Sequence, residues 1–78
     1  MVEIRYFSIL KEKLGKSSEE ISFKGTVGQL RDLLKKRYPE AKEILNSVKI
    51  AVNEEYVKDS YKISEGDRVA LIPPVSGG

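Results

Sequence analysis

Residues 26–39 carry the strongest constraint on how this chain folds. Thr26-Val27-Gly28-Gln29 reads as a capping box, in which the threonine side chain bonds the backbone of the first turn and the glutamine reaches back. Val27, Leu30, Leu33, Leu34 and Tyr38 follow at helical spacing, and Arg31, Asp32, Lys35 and Lys36 cover the other side. Pro39 ends the run and biases Tyr38 toward extended geometry. Gly28 costs up to ~1 kcal/mol in a helix interior, less in its first turn. A helix this short is marginal alone and needs an apolar surface to pack on.

The flanking segments supply that surface with a period of two. Val2-Glu3-Ile4-Arg5-Tyr6-Phe7 reads as a strand with Val2, Ile4 and Tyr6 on the core face. Ile9 to Leu14 is expected to form a short helix closed by Gly15. Glu20-Ile21-Ser22-Phe23 is a second short strand, pairing antiparallel with the first. After the main helix, Ala41 to Leu45 has room for one more turn. Val48 to Val52 is a third strand, Asn53-Glu54-Glu55 a turn, and Tyr56-Val57 a short return strand. Tyr61-Lys62-Ile63 leads to a turn at Glu65-Gly66-Asp67. Arg68 to Ile72 is the last strand, with Val69 and Leu71 inward, and Pro73-Pro74 stops it because neither residue can donate to a ladder. The pattern is α+β: a mixed sheet of about four to five strands with one main helix across one face. Residues 1–74 form the domain, and residues 75–78 are expected to be a flexible C-terminal tail.

Composition narrows the chemistry. The 78 residues contain neither cysteine nor histidine. That removes disulfides, thiolate ligands, the usual general base and any Ser-His-Asp triad. No carboxylate spacing resembles a calcium loop, so no metal site is expected. With 14 basic and 12 acidic residues intermixed, a net charge of +2 gives no nucleic-acid footprint. No apolar run approaches the ~20 residues of a membrane span, and Met1 to Arg5 lacks a signal-peptide pattern, so a cytoplasmic protein is expected.

What remains is the end of the chain. Pro73-Pro74 makes a stiff, extended exit, and Val75-Ser76-Gly77-Gly78 follows. Glycine lets a backbone lie where any Cβ would clash. Such a tail suits a carboxylate that must enter another protein's active site. The Gly78 carboxylate would attack the α-phosphate of ATP there, and the acyl-adenylate would be open to a sulfur or amine nucleophile. The chain itself needs no bound cofactor for this; the partner supplies ATP and catalysis.

Phe7 to Gly15, Thr26 to Leu30, Ala51-Val52-Asn53 and Gly66-Asp67-Arg68-Val69 through Pro73-Pro74-Val75-Ser76-Gly77-Gly78 together resemble the MoaD-type small subunit of molybdopterin synthase. The resemblance spans essentially the whole chain. It implies a ubiquitin-like β-grasp fold in which the first and last strands pair in parallel at the centre. It implies adenylation of Gly78 by a MoeB-type activating enzyme and conversion to a thiocarboxylate. It also implies that a MoaE-type large subunit, in a heterotetramer, uses that sulfur to build the dithiolene of the molybdenum cofactor.

Alternation and the resemblance indicate a partner surface. Phe7 points away from Val2, Ile4 and Tyr6, and Ile72 away from Val69 and Leu71, so with Ala70 they form an apolar patch on a polar face. The resemblance assigns Phe7, Tyr56 and Ile72 to partner binding, with Val75 and Ser76 leading into the tail. The opposing expectation is that Phe7 and Ile72 fill a thin second core under the helix at Ile9–Leu14. Tyr6 and Tyr61 are expected to pack and Lys35, Lys36 and Arg37 to be solvated; Lys11 and Lys13 either dock an acidic partner or, as is expected, are solvated as well. The same fold and tail also occur in ubiquitin-like modifiers that are joined to lysines, and in ThiS-type carriers for thiazole synthesis. ThiS-type chains are usually shorter and lack the helical insertion at Ile9–Leu14.

Overall fold

A computed structural model describes residues 1–74. Strand β1 (Val2–Tyr6) runs into helix α1 (Ser8–Leu14), and β2 (Ser18–Ile21) returns antiparallel to β1. A two-residue strand β3 (Gly25–Thr26) leads into α2 (Val27–Arg37). A 3-10 turn at Pro39–Ala41 continues directly into α3 (Lys42–Ser47). Strands β4 (Lys49–Val52), β5 (Glu55–Tyr56), β6 (Lys62–Ile63) and β7 (Arg68–Ile72) complete the chain. The main sheet has the order β2-β1-β7-β4-β5, with β1 and β7 parallel at its centre. This is the mixed sheet of the β-grasp. The small sheet between β3 and β6 was not anticipated, because two-residue strands leave no alternation to read.

Each element follows from local chemistry. The capping box forms: Gln29 N–H donates to Thr26 Oγ1 at 3.2 Å and Thr26 N–H donates to Gln29 Oε1 at 2.9 Å. Gly15 closes α1 in the left-handed conformation at φ 71°. Val27, Leu30 and Leu34 are fully buried, whereas Leu33 and Tyr38 are only partly so. The expected second strand is displaced: it spans Ser18–Ile21, not Glu20–Phe23. Val2 lies opposite Ile21, so Ser22 and Phe23 run past the start of β1 and have no ladder to join. The turn expected after Pro39 proves to be a complete short helix, and Leu45 on it is buried. A short helix leaves its last carbonyls unsatisfied. Arg31 supplies donors, its Nη1 bonding Leu45 O and Val48 O and its Nη2 bonding Asp59 at 3.0 Å.

The core lies between the sheet and the helices. Val2, Ile4, Tyr6, Val69 and Leu71 reach it from the two central strands, Leu10 from α1, and Leu30 and Leu34 from α2. Tyr6 places its ring in the core and its hydroxyl at the margin, where it donates to Glu19. Tyr38 also donates to Glu19, at 2.6 Å, and Lys16 Nζ donates to the Tyr38 hydroxyl at 3.0 Å. Burial works against the charge on Glu19, but the Tyr38 and Tyr6 hydrogen bonds and the Lys16 ammonium outweigh it. The carboxyl pKa is therefore held below the ordinary value of 4.5. Burial first, and then the bond to Glu19, pushes the Tyr6 phenol far above its usual range.

Two expectations about surface residues change. Tyr61 is 39% exposed and contributes mainly backbone, its carbonyl accepting from Val27 N–H at 2.9 Å. Lys35 is not free in solvent: it lies along the helix surface between Asn46 and Asp32.

Candidate partner-binding face and the exit of the tail

The register of the main sheet sets out its outer face in rows. Pairing of Arg5 with Ala70, Ala70 with Ala51 and Ala51 with Tyr56 places these four side by side on one face. One row toward the exit of β7, Ile72 pairs with Lys49. Phe7 and Ile72 each lie one residue beyond the pair Tyr6 and Leu71. Phe7 is still extended, at φ −123° and ψ 157°, so alternation carries it onto the same face as Ile72. Ser8 then adopts φ 55° and turns the chain into α1. The row on the other side of the centre holds Glu3 and Arg68.

Phe7 is 42% exposed and Tyr56 68% exposed, while Ile72 and Ala70 are half-buried. Ala51, buried beneath its neighbours, forms the floor of the patch. The second-core expectation for Phe7 and Ile72 does not hold. Helix α1 sends Leu10 into the main core instead, and neither Phe7 nor Ile72 belongs to it. The role of Ala51 escaped the sequence reading, although its phase opposite to Ile50 and Val52 was the signal for it. The Glu3 carboxylate accepts from Arg5 Nε and Arg68 Nε, each at 3.1 Å, and those two hydrogen bonds lower its pKa.

Because β1 and β7 are parallel, the exit of β7 and the end of β1 lie at the same edge. Pro73 is buried and Pro74 exposed, so the chain leaves the domain beside Phe7 and Ile72. Val75, Ser76, Gly77 and Gly78 lie outside the described residues. Among the described residues, no cluster of three or more Asp or Glu could hold a metal ion. No described helix is long and apolar enough to cross a membrane.

Known proteins share this architecture. The molybdopterin synthase sulfur carrier subunit of Dictyostelium discoideum is 38% identical over 81 residues, covering 97% of this chain and 94% of that protein. The complex of subunits 1 and 2 of the molybdopterin-converting factor of Helicobacter pylori contains a chain that superposes with TM-score 0.74. It is 29% identical, with 99% of this chain and 97% of that one covered. Small archaeal modifier protein 1 of Haloferax volcanii superposes with TM-score 0.79 at 26% identity, covering 99% of this chain and 98% of that one. The ThiS family model matches residues 4–78. With that match over nearly its whole length and relatives at this level of identity, the chain belongs to the ThiS/MoaD family of ubiquitin-like β-grasp proteins.

Proposed function

We propose that the chain is the sulfur carrier subunit of a molybdopterin synthase and that Gly78 is its working residue. The observation that carries the reading is the shared edge: the apolar strip of exposed Phe7 and Tyr56 with half-buried Ile72 borders the point where the chain leaves the domain. A partner gripping that strip has the tail delivered to it. The names of the similar carrier subunits support the acceptor, and the Helicobacter pylori complex supports a large-subunit partner.

The reaction proceeds on the partners. In a MoeB-type enzyme the Gly78 carboxylate attacks the α-phosphate of ATP and pyrophosphate leaves. A sulfur nucleophile then displaces AMP, leaving a thiocarboxylate. A MoaE-type subunit, assembled with this chain as a heterotetramer, takes the sulfur for the dithiolene. Gly77 gives the backbone its close approach. Phe7, Tyr56 and Ile72 hold the domain, and Val75 and Ser76 span the distance to the reacting centre. All of this takes place in the cytoplasm. A second reading draws support from the likeness to small archaeal modifier protein 1, namely transfer of Gly78 to lysines of other proteins.

The test is incubation with ATP, sulfide and the activating enzyme, followed by mass spectrometric sequencing of the C-terminal peptide. Localisation is required because exchange of oxygen for sulfur is nearly isobaric with oxidation of Met1. Sulfur on Gly78 is the expected result. Lysine conjugates without sulfur would replace the carrier reading with the modifier reading. An unmodified tail, with the enzyme active on a control carrier, would defeat both.

A further inference from the structure

The charges around the apolar strip are unevenly placed. At the end of the face away from the tail, charge is partly compensated: Glu3 is held between Arg5 and Arg68, one carboxylate for two guanidiniums. At the tail end it is not. The row through Phe7 and Ile72 continues into Lys49, and the antiparallel register of β4 and β5 brings Lys58 opposite Lys49. Lys49, Tyr56 and Lys58 line one cleft of about 430 Å³ together with Arg31. On the β1 side, Lys11 lines a second cleft of about 340 Å³ with Arg5 and Phe7. Among the described residues, Lys11, Lys49 and Lys58 have no ion-pair partner. None of the four residues of the tail-end row is acidic.

We infer that this face docks a protein surface with an apolar pocket flanked by carboxylates on two sides, one set meeting Lys11 and the other meeting Lys49 and Lys58. The inference rests on the proposed function in taking the activating enzyme as that partner. An apolar strip alone fixes no orientation, because Phe7, Ile72 and Tyr56 would pack on any greasy patch. Cations on both flanks do fix it. They steer the approach and exclude basic surfaces, and they sit where a misaligned encounter would leave the tail pointing away. Exposed lysines each add little short-range contact energy, so their effect enters through long-range steering and is read in the association rate.

The experiment measures association of the full chain with its activating enzyme by stopped flow, from about 0.01 to 0.5 M salt. Wild type is expected to associate more slowly as salt rises. The triple variant Lys11→Glu, Lys49→Glu, Lys58→Glu is expected to associate at least ~10-fold more slowly at low salt, with the dissociation rate little changed and the gap closing at high salt. A control with the same change in net charge, Lys24→Glu, Lys36→Glu, Lys42→Glu, should differ far less from wild type. Thermal melts of both variants verify folding. Equal slowing of the two triples, or a salt-independent rate, overturns the inference while sulfur loading of Gly78 leaves the carrier reading intact. Salt-steered binding without any modification of Gly78 does the reverse. Absence of binding by wild type overturns both.

Discussion

Glu19 ties β2 to the end of α2 through hydroxyls on two elements, Tyr6 on β1 and Tyr38 at the close of α2. Its pKa is lowered on folding, so its contribution to stability is fully present above the ordinary value of 4.5. That contribution is lost as pH falls through the folded value. Glu19→Gln is therefore expected to cost about 1–3 kcal/mol at neutral pH. The variant should also show a flatter loss of stability on acidification. Urea denaturation at neutral pH and at about pH 3 checks both; a variant with an acid limb as steep as wild type would place the acid sensitivity elsewhere. None of this was legible from the sequence. Tyr6 reads as a core residue, Glu19 lies outside the strand expected at Glu20–Phe23, and only the fold brings Ser18–Ile21, Tyr6 and Tyr38 together.

Among the elements, α2 was the most legible and β3 the least. The capping box could be read because its partners lie three residues apart. It also explains Gly25, which sits at φ 145°: a Cβ there would fall on the side-chain oxygen of Gln29. Gly25→Ala is expected to push Gln29 out of the box and to destabilise the protein by ~1 kcal/mol or more, the cost of a lost cap plus the strained φ. Thermal melts of Gly25→Ala beside Gln29→Ala check this; the two changes should be strongly non-additive. The β4–β5 hairpin offers the opposite case. Asn53 and Glu54 both have positive φ, 51° and 73°, as a two-residue hairpin of this type requires. Asn53 is suited to it, and its side chain also bonds Asp67 and the Arg68 backbone. Glu54 is not, and Glu54→Gly is expected to raise stability by up to ~1 kcal/mol, measured by urea denaturation.

For the whole molecule, the separation of core from partner face gives the sharpest expectations. The core faces the helices and the apolar strip faces away from them. Phe7→Ala should therefore alter folding by less than ~1 kcal/mol, while weakening partner binding by roughly 1.5–3 kcal/mol before association costs. Calorimetric melts and titration against the large subunit separate the two. A large drop in melting temperature with unchanged binding would return Phe7 to a structural role. Deletion of Gly78 should abolish sulfur loading without altering the melting temperature, because the core is complete by Pro73. Loading of the truncated chain would remove Gly78 from the mechanism.

The sequence by itself determined what depends on near neighbours. Period two set the inward faces of β1, β4 and β7, period 3.6 set the inward face of α2, and Pro39 and Gly15 ended helices. The absence of Cys and His removed disulfides, thiolate ligands and imidazole chemistry from these 78 residues. Tertiary structure alone decided what depends on register between distant strands. It cut β2 off at Ile21, paired β3 with β6, and set Lys58 opposite Lys49 beside Ile72. Local periodicity fixes which way a side chain points; hydrogen-bonded register fixes which distant side chain it stands beside, and a partner face is made of those neighbours.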